Sequence, residues 1–300
     1  MSGVCVHTVG MSTVKDEVVR QITEKFIAAI EAGLEGNWER PWASITGAAS
    51  NAVTGKTYQG FNWFLLSLEE GDGKVGPWAT YKQWESIGAQ VRKGEHGTQV
   101  LRPMIVPDKK AIAAGKEGAT FVLFKAYRVF AASQVDGYTP EPLPEPTGES
   151  SDEAEAWLKA WTAQADLRYG GDRAFYSPTQ DFVQVPERKA FATVAGFFGT
   201  VTHEAGHWTG HSSRLDRADH QTWGDHTYAY EELIAELCSS IMAHELGIDD
   251  EGTNTAKYLE SWLKALKSED GPKLLYKAAS DAQKAANLLI KVTASQEVAA

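Results

Sequence analysis

The 300-residue sequence predicts two α+β domains joined by a linker. Three observations carry that reading. Amphipathic helical stretches are interspersed with segments of strand periodicity. Prolines 140, 142, 144 and 146 alternate with acidic and apolar residues, a pattern that favours extended polyproline II backbone and forbids helix. Charge shifts across that stretch: residues 1–140 hold 15 Lys and Arg against 14 Asp and Glu, net +1, and the remainder holds 14 against 26, net −12. The expected organisation is a disordered N-terminus over 1–13, a first domain over 14–138, a linker over 139–152 and a second domain over 153–300. Cleavage in the linker should separate the domains.

The first domain opens with an amphipathic helix over Val14 to Leu34. Val18, Ile22, Phe26, Ile27 and Ile30 recur at three-to-four spacing, and Gly33 or Gly36 ends it. Trp38 to Trp42 reads as a turn set by Pro41. Asn51 to Gly60 is a polar turn leading into an apolar helix from Phe61 to Leu68. Pro77 to Trp84 leads a short helix ending near Gly88. Gln90 to Thr98 is a glycine-bearing turn between strands, and Phe121 to Phe130 alternates as a strand.

The net charge of −11 excludes a generally basic nucleic-acid binder, but Lys74 to Arg128 carries ten basic and four acidic residues, net +6. Aromatic residues interleave with those cations. That pairing suits single-stranded nucleic acid, whose bases stack on rings while cations follow the phosphates. Packing in the core is the competing fate of the same rings.

In the second domain a helix is predicted from Glu153 to Ala165. Arg173 to Pro186 then reads as a β-hairpin with Ser177-Pro178 opening the turn. An exposed edge of that hairpin would accept an extended peptide by strand addition. Ala190 to Val201 reads as a buried helix, in which Gly196 and Gly199, with Gly206 beyond it, would let another element approach closely.

That helix runs into His203-Glu204-Ala205-Gly206-His207, the pattern H-E-x-x-H. Residues four apart share a helix face, so both imidazoles can address one ion. Neutral imidazole suits zinc, with room left for a third protein ligand and a water, and Glu204 is placed to take that water's proton. A third histidine in H-E-x-x-H-x-x-G-x-x-H would fall at Ser213. His211 lies about 12 Å of helical rise from His203, too far to share the ion. The candidates lie downstream, in Glu231, Glu232 and Glu236. The reading places Glu232 on the zinc and Glu236 behind a ligand histidine, holding its free N–H. Tyr228, Tyr230, His220 or His226 would donate to an oxyanion.

Cys5 and Cys238 form no disulfide framework; Cys238 sits in an apolar helix, where cysteine packs. The first thirty residues lack a signal-peptide pattern, and no segment approaches eighteen apolar residues. A cytoplasmic protein with no membrane partner is expected.

Asn51, Thr54-Gly55-Lys56, Tyr58, Gly60 and Asn62, then Trp78 and Thr80-Tyr81-Lys82-Gln83, then Val91-Arg92-Lys93-Gly94-Glu95 and Gly97, then Val129-Phe130 and Ser133-Gln134 closely resemble the N-terminal domain of the ArdC-type antirestriction family. The resemblance implies a module that binds single-stranded DNA. By it, DNA contacts fall to Lys56, Tyr58, Asn62, Trp78, Tyr81, Lys82, Gln83, Arg92, Lys93, His96 and Gln134. Two departures would weaken contacts: Ala131-Ala132 stands where the family commonly has an asparagine, and His96 replaces a basic residue.

From Ala174-Phe175-Tyr176 through the H-E-x-x-H segment, Ser213 to Arg217, Glu231-Glu232-Leu233 and Ala235-Glu236, the chain resembles the family's C-terminal zincin-like metallopeptidase domain. Trp262 to Ala286 continues the match as a helical cap. The resemblance spans roughly 14–291. It implies a protein of mobile DNA, plasmid or phage, that protects that DNA from host restriction. Two other readings stay open: a pure single-strand-binding protein with a structural zinc, and a proteolytic effector that cuts a host protein.

Overall fold

The computed structural model describes residues 13–35, 49–70, 73–74, 76–139, 151–217, 226–248 and 258–297. The turn at Trp38–Trp42, the N-terminus before Thr13 and most of the linker lie outside the described residues.

In the first half, α1 (Thr13–Leu34) buries Val18, Val19, Ile22, Phe26 and Ile30, the face that the periodicity predicts. α2 (Phe61–Glu70) buries Phe61, Trp63, Phe64, Leu65, Leu66 and Leu68; apolar nearly all round, it is a core helix. β1 (Trp78–Thr80), β3 (Thr98–Pro107) and β4 (Thr120–Ala131) form an antiparallel sheet in the order β1-β4-β3. α3 (Tyr81–Ser86) follows β1 directly, because Thr80 and Gln83 form a capping box at its start. β2 (Gln90–Val91) pairs with β5 (Val135–Asp136), so the Gln90–Thr98 segment does join two strands. α4 (Lys109–Ala113) sits in the β3–β4 connection.

In the second half, α5 (Asp152–Thr162) is capped by the Ser151 side chain. It stops three residues short of the predicted Ala165, because β6 (Asp166–Tyr169) follows, a strand that the sequence reading missed. β7 (Phe175–Ser177) and β8 (Phe182–Val185) make the predicted hairpin. β6 adds parallel to β8, so β8 is the middle strand and β7 lies at an edge. The central position explains why Phe182, Val183 and Val185 are all buried instead of alternating.

α6 (Val194–Trp208) starts later than Ala190. The Thr193 side chain accepts the Gly196 N–H at 3.0 Å and caps the helix there, after a 3-10 turn at Arg188–Ala190. α7 (Thr227–Glu245), α8 (Leu259–Leu266) and α9 (Gly271–Glu297) complete the fold.

One hydrophobic core runs through both halves. α1 packs on α8 and α9, and α2 packs on α9. Phe26 meets Trp262 with ring centroids 6.4 Å apart, and Phe61 meets Tyr276 at 5.3 Å. Gly60 N–H donates to Gln283 Oε1 at 2.8 Å, and Lys267 pairs with Glu31 at 2.6 Å. The two halves therefore share apolar surface, and we propose that they stay together when the linker is cut. A second, small cluster of Ala79, Trp84, Ala89, Val91, Ala132 and Val135 lies wholly within the first half.

Candidate metal centre

α6 and α7 cross on small residues. A Cβ on Gly206 would come within 3.1 Å of Ala235 Cα, so glycine is what allows the backbones to approach there. One turn away, Thr202 Oγ1 and Ser239 Oγ lie 2.9 Å apart, and Ser239 donates to Gly199 O at 3.0 Å. A Cβ on Gly199 would meet nothing within 4 Å, so close approach requires Gly206 and not Gly199.

The crossing brings His203 and His207 of α6 against Glu232 of α7. His203 Nε2 lies 3.5 Å from Glu232 Oε2, and His207 Nε2 lies 3.7 Å from Glu232 Oε1. One ligand atom from each residue falls within 4.8 Å of the other two. Two atoms bound tetrahedrally to one zinc at about 2.1 Å would stand about 3.4 Å apart. The donor set therefore suits a divalent cation. Glu232 Oε2 is also buried without a hydrogen-bond partner among the described residues, an orphaned acceptor that a cation would satisfy.

Glu236 is fully buried one turn further along α7, with Oε2 3.3 Å from His203 Nδ1. It faces the imidazole nitrogen that points away from Glu232. Glu231 turns instead to Arg217, at 3.3 Å. Burial alone would lower the His203 pKa, but the Glu232 and Glu236 carboxylates outweigh it and push the imidazole up to about 10. Burial would raise Glu232; contact with His203 and His207 holds it well below the usual carboxylate range.

These residues open onto a cavity of about 920 Å³, which Glu204 and His211 also line. His211 Nδ1 lies 2.8 Å from Ser213 Oγ, and His211 is outside the cluster of ligand atoms, as its spacing predicts. Phe175 and Tyr176 of edge strand β7 form part of the wall. Among the hydroxyl candidates, Tyr228 lines the cavity and is 60% exposed. Tyr230 does not qualify: it is buried and donates to Asp281. His226 stands at the start of α7 and is not among the lining residues, and His220 lies outside the described residues. The sequence reading missed Tyr258, which lines the cavity beside Glu232. Burial first, then the Glu232 carboxylate, push its phenol far above the usual value, so it stays a donor.

Residues 152–281 match the family model described as zincin-like metallopeptidase, and residues 16–130 match that of the N-terminal domain of anti-restriction factor ArdC. The metal-free crystal structure of the antirestriction ArdC protein from the R388 plasmid superposes with a TM-score of 0.77 at 35% identity, covering 92% of this chain and 98% of that one. The Mn(II)-bound structure of the same protein gives 0.74. The chain belongs to the ArdC antirestriction family.

Other relatives of this ArdC-family chain are longer or less defined. It is 38% identical over 282 residues to a DNA primase TraC of Escherichia coli, and 36% identical over 295 residues to a second TraC. It spans only 19% and 27% of their lengths. It is 35% identical to the uncharacterized protein y4eC of Sinorhizobium fredii, covering 91% of it.

The residues that the ArdC resemblance assigned to DNA divide by exposure. Lys56, Tyr81, Lys82, Lys93 and His96 are exposed. Trp78 is fully buried, which corrects its assignment: no face is open for a base. Gln134 is 4% exposed and donates to Glu95 Oε2 and to the carbonyl of His96, so it braces the turn before β3. Asn62 bonds both the N–H and the carbonyl of Leu101, and Gln83 completes the α3 capping box. Arg92 donates to Glu95 and to the carbonyls of Ser133 and Val135. Tyr58 is half-buried beside Asn51. The fold uses all six internally. Cys238 is buried, and its thiol is pushed up to about 12 by burial, as packing alone predicts. No helix among the described residues is long and apolar enough to cross a membrane.

Proposed function

We propose that this chain protects incoming DNA of a mobile element from host restriction in the cytoplasm, by binding it as single strands through its first half. We further propose that its second half holds one zinc on His203, His207 and Glu232. Membership of the ArdC family and the exposed Lys56, Tyr81, Lys82, Lys93 and His96 support the DNA reading. The relative from the R388 plasmid supports the link to mobile DNA. The observation that carries the metal reading is the convergence of three ligand atoms within 4.8 Å at the base of a 920 Å³ cavity.

When bound, a divalent metal would acidify a water and polarise a carbonyl. Glu204, next to His203 and lining the same cavity, accepts a proton at its carboxylate. Tyr258 and Tyr228 hold phenolic protons beside Glu232: one is enclosed, and the other stands at the cavity mouth where a substrate oxygen would arrive. Glu236 keeps the His203 ring in its orientation. A purely structural metal needs no Glu204. That residue and the edge strand β7 on the cavity wall favour a second reading, cleavage of an extended host polypeptide.

The test is Glu204→Gln, which keeps size but removes basicity. Folding, metal content and DNA binding should survive. Transfer of unmodified DNA into a restricting host then separates the readings. Full protection means that DNA coating suffices; abolished protection with intact DNA binding means that the cavity's chemistry is required.

A further inference from the structure

Arg217 is not among the three candidate ligands, yet its side chain is 7% exposed and packed between the two helices that carry them. Its Nη1 donates to Thr209 Oγ1 at 2.6 Å, and its Nη2 donates to Gly206 O at 2.8 Å and to Glu231 Oε2 at 3.3 Å. Gly206 immediately precedes His207, and Glu231 immediately precedes Glu232. One planar guanidinium therefore ties the backbone beside a candidate ligand on α6 to the side chain beside another on α7.

The local structure leaves Arg217 this task. At the end of α6 the Gly210 N–H bonds His207 O, so Gly206 O is not served by the ordinary helical donor. Thr209 Oγ1 and Arg217 take it instead. Gly210 makes room: a Cβ there would stand 2.8 Å from Arg217 Nη2 and 3.1 Å from its Cζ. A rigid fork of donors can serve acceptors on two helices at fixed spacing; a lysine ammonium on a flexible stem cannot.

We propose that Arg217 is a positioning residue: its guanidinium sets the spacing of α6 and α7, and thereby the fit of His203, His207 and Glu232 to a divalent cation. The inference rests on the metal reading above. Arg214 supplies the comparison. It too is tightly held, donating to Trp208 O at 2.6 Å and to Asp181, and its guanidinium lies 3.9 Å from the Trp208 ring, but its contacts run to the β7–β8 turn and not to α7.

The experiment titrates manganese(II) into the metal-free full chain, followed by electron paramagnetic resonance, with the melting temperature of each metal-free variant measured alongside. Arg217→Lys should weaken manganese binding roughly 10-fold or more, the usual range for residues that orient ligands. Arg214→Lys should lower the melting temperature but leave manganese affinity within about threefold. Gly210→Ala should weaken binding in the wild-type background and much less in Arg217→Ala, since its tightest clash is with the guanidinium and the remaining contact, His207 O at 3.1 Å, is common to both. Additive effects of Gly210→Ala and Arg217→Ala would overturn the proposal, as would equal falls in affinity in the two lysine variants. A wild-type chain that binds no manganese would instead sink the metal reading, and this inference with it.

Discussion

The His203 imidazole lies between two carboxylates, with Nε2 3.5 Å from Glu232 and Nδ1 3.3 Å from Glu236. In the metal-free protein that ring holds its proton up to about pH 10. A cation that takes Nε2 must displace the proton, so proton and metal compete for one atom.

The pH dependence follows with opposite signs for the two states. The His203 pKa is raised above its ordinary 6.5, so its pairing stabilises the metal-free fold fully below that value and is lost as pH rises through about 10. The melting temperature of the metal-free protein should fall across that window. Manganese affinity should rise over pH 6 to 8, by about tenfold per unit for one displaced proton. An affinity flat with pH would mean that His203 is neutral before the metal arrives.

Limited proteolysis should cut the chain between residues 139 and 152 without releasing two particles. The halves should stay together on gel filtration, because α1 and α2 bury Phe26 and Phe61 against Trp262 and Tyr276. Residues 1–138 expressed alone should aggregate or melt at a lower temperature. Two monodisperse fragments, each as stable as the whole, would show that the shared core contributes little.

In the first half, stability and DNA binding should respond to different residues. Trp78→Ala should cost about 3–5 kcal/mol of stability, as large-to-small changes in a packed core do. Tyr81→Ala and the pair Lys82→Ala with Lys93→Ala should leave the melting temperature within a few degrees and weaken single-strand binding. The lysine pair should also flatten the dependence of log K on log salt, by about 0.7 for each phosphate that is no longer neutralised. Salt-independent binding, or binding untouched by all three changes, would move the DNA surface elsewhere.

What the sequence disclosed follows the range of the signals. His203 and His207 lie four apart within one helix, so spacing alone placed them on one face, with Glu204 beside them. Glu232 needed only a second helix of the same period. Trp78 shows the limit: a tryptophan beside cations reads alike whether it stacks on a base or fills a core, and only the β1–β4 pairing encloses it. Tyr258 had no local signal, since it reaches Glu232 from 26 residues away in sequence through tertiary packing. β6 was missed because four residues with little burial carry no clear period. The prolines at 140–146 mark the proposed boundary, whereas the core that the two halves share has no local signal. The faces of α1 and α9 read as generic amphipathic stripes, without naming each other as partners.

Metal analysis of purified single variants tests the central claim most directly. The wild-type chain, Glu231→Ala and His211→Ala should each retain about one zinc per chain, the stoichiometry of a single two-histidine, one-carboxylate site. His203→Ala, His207→Ala and Glu232→Ala should each lose most of it while remaining folded. Full zinc in Glu232→Ala, or its loss in His211→Ala with Glu232 intact, would contradict the ligand set built by the crossing of α6 and α7.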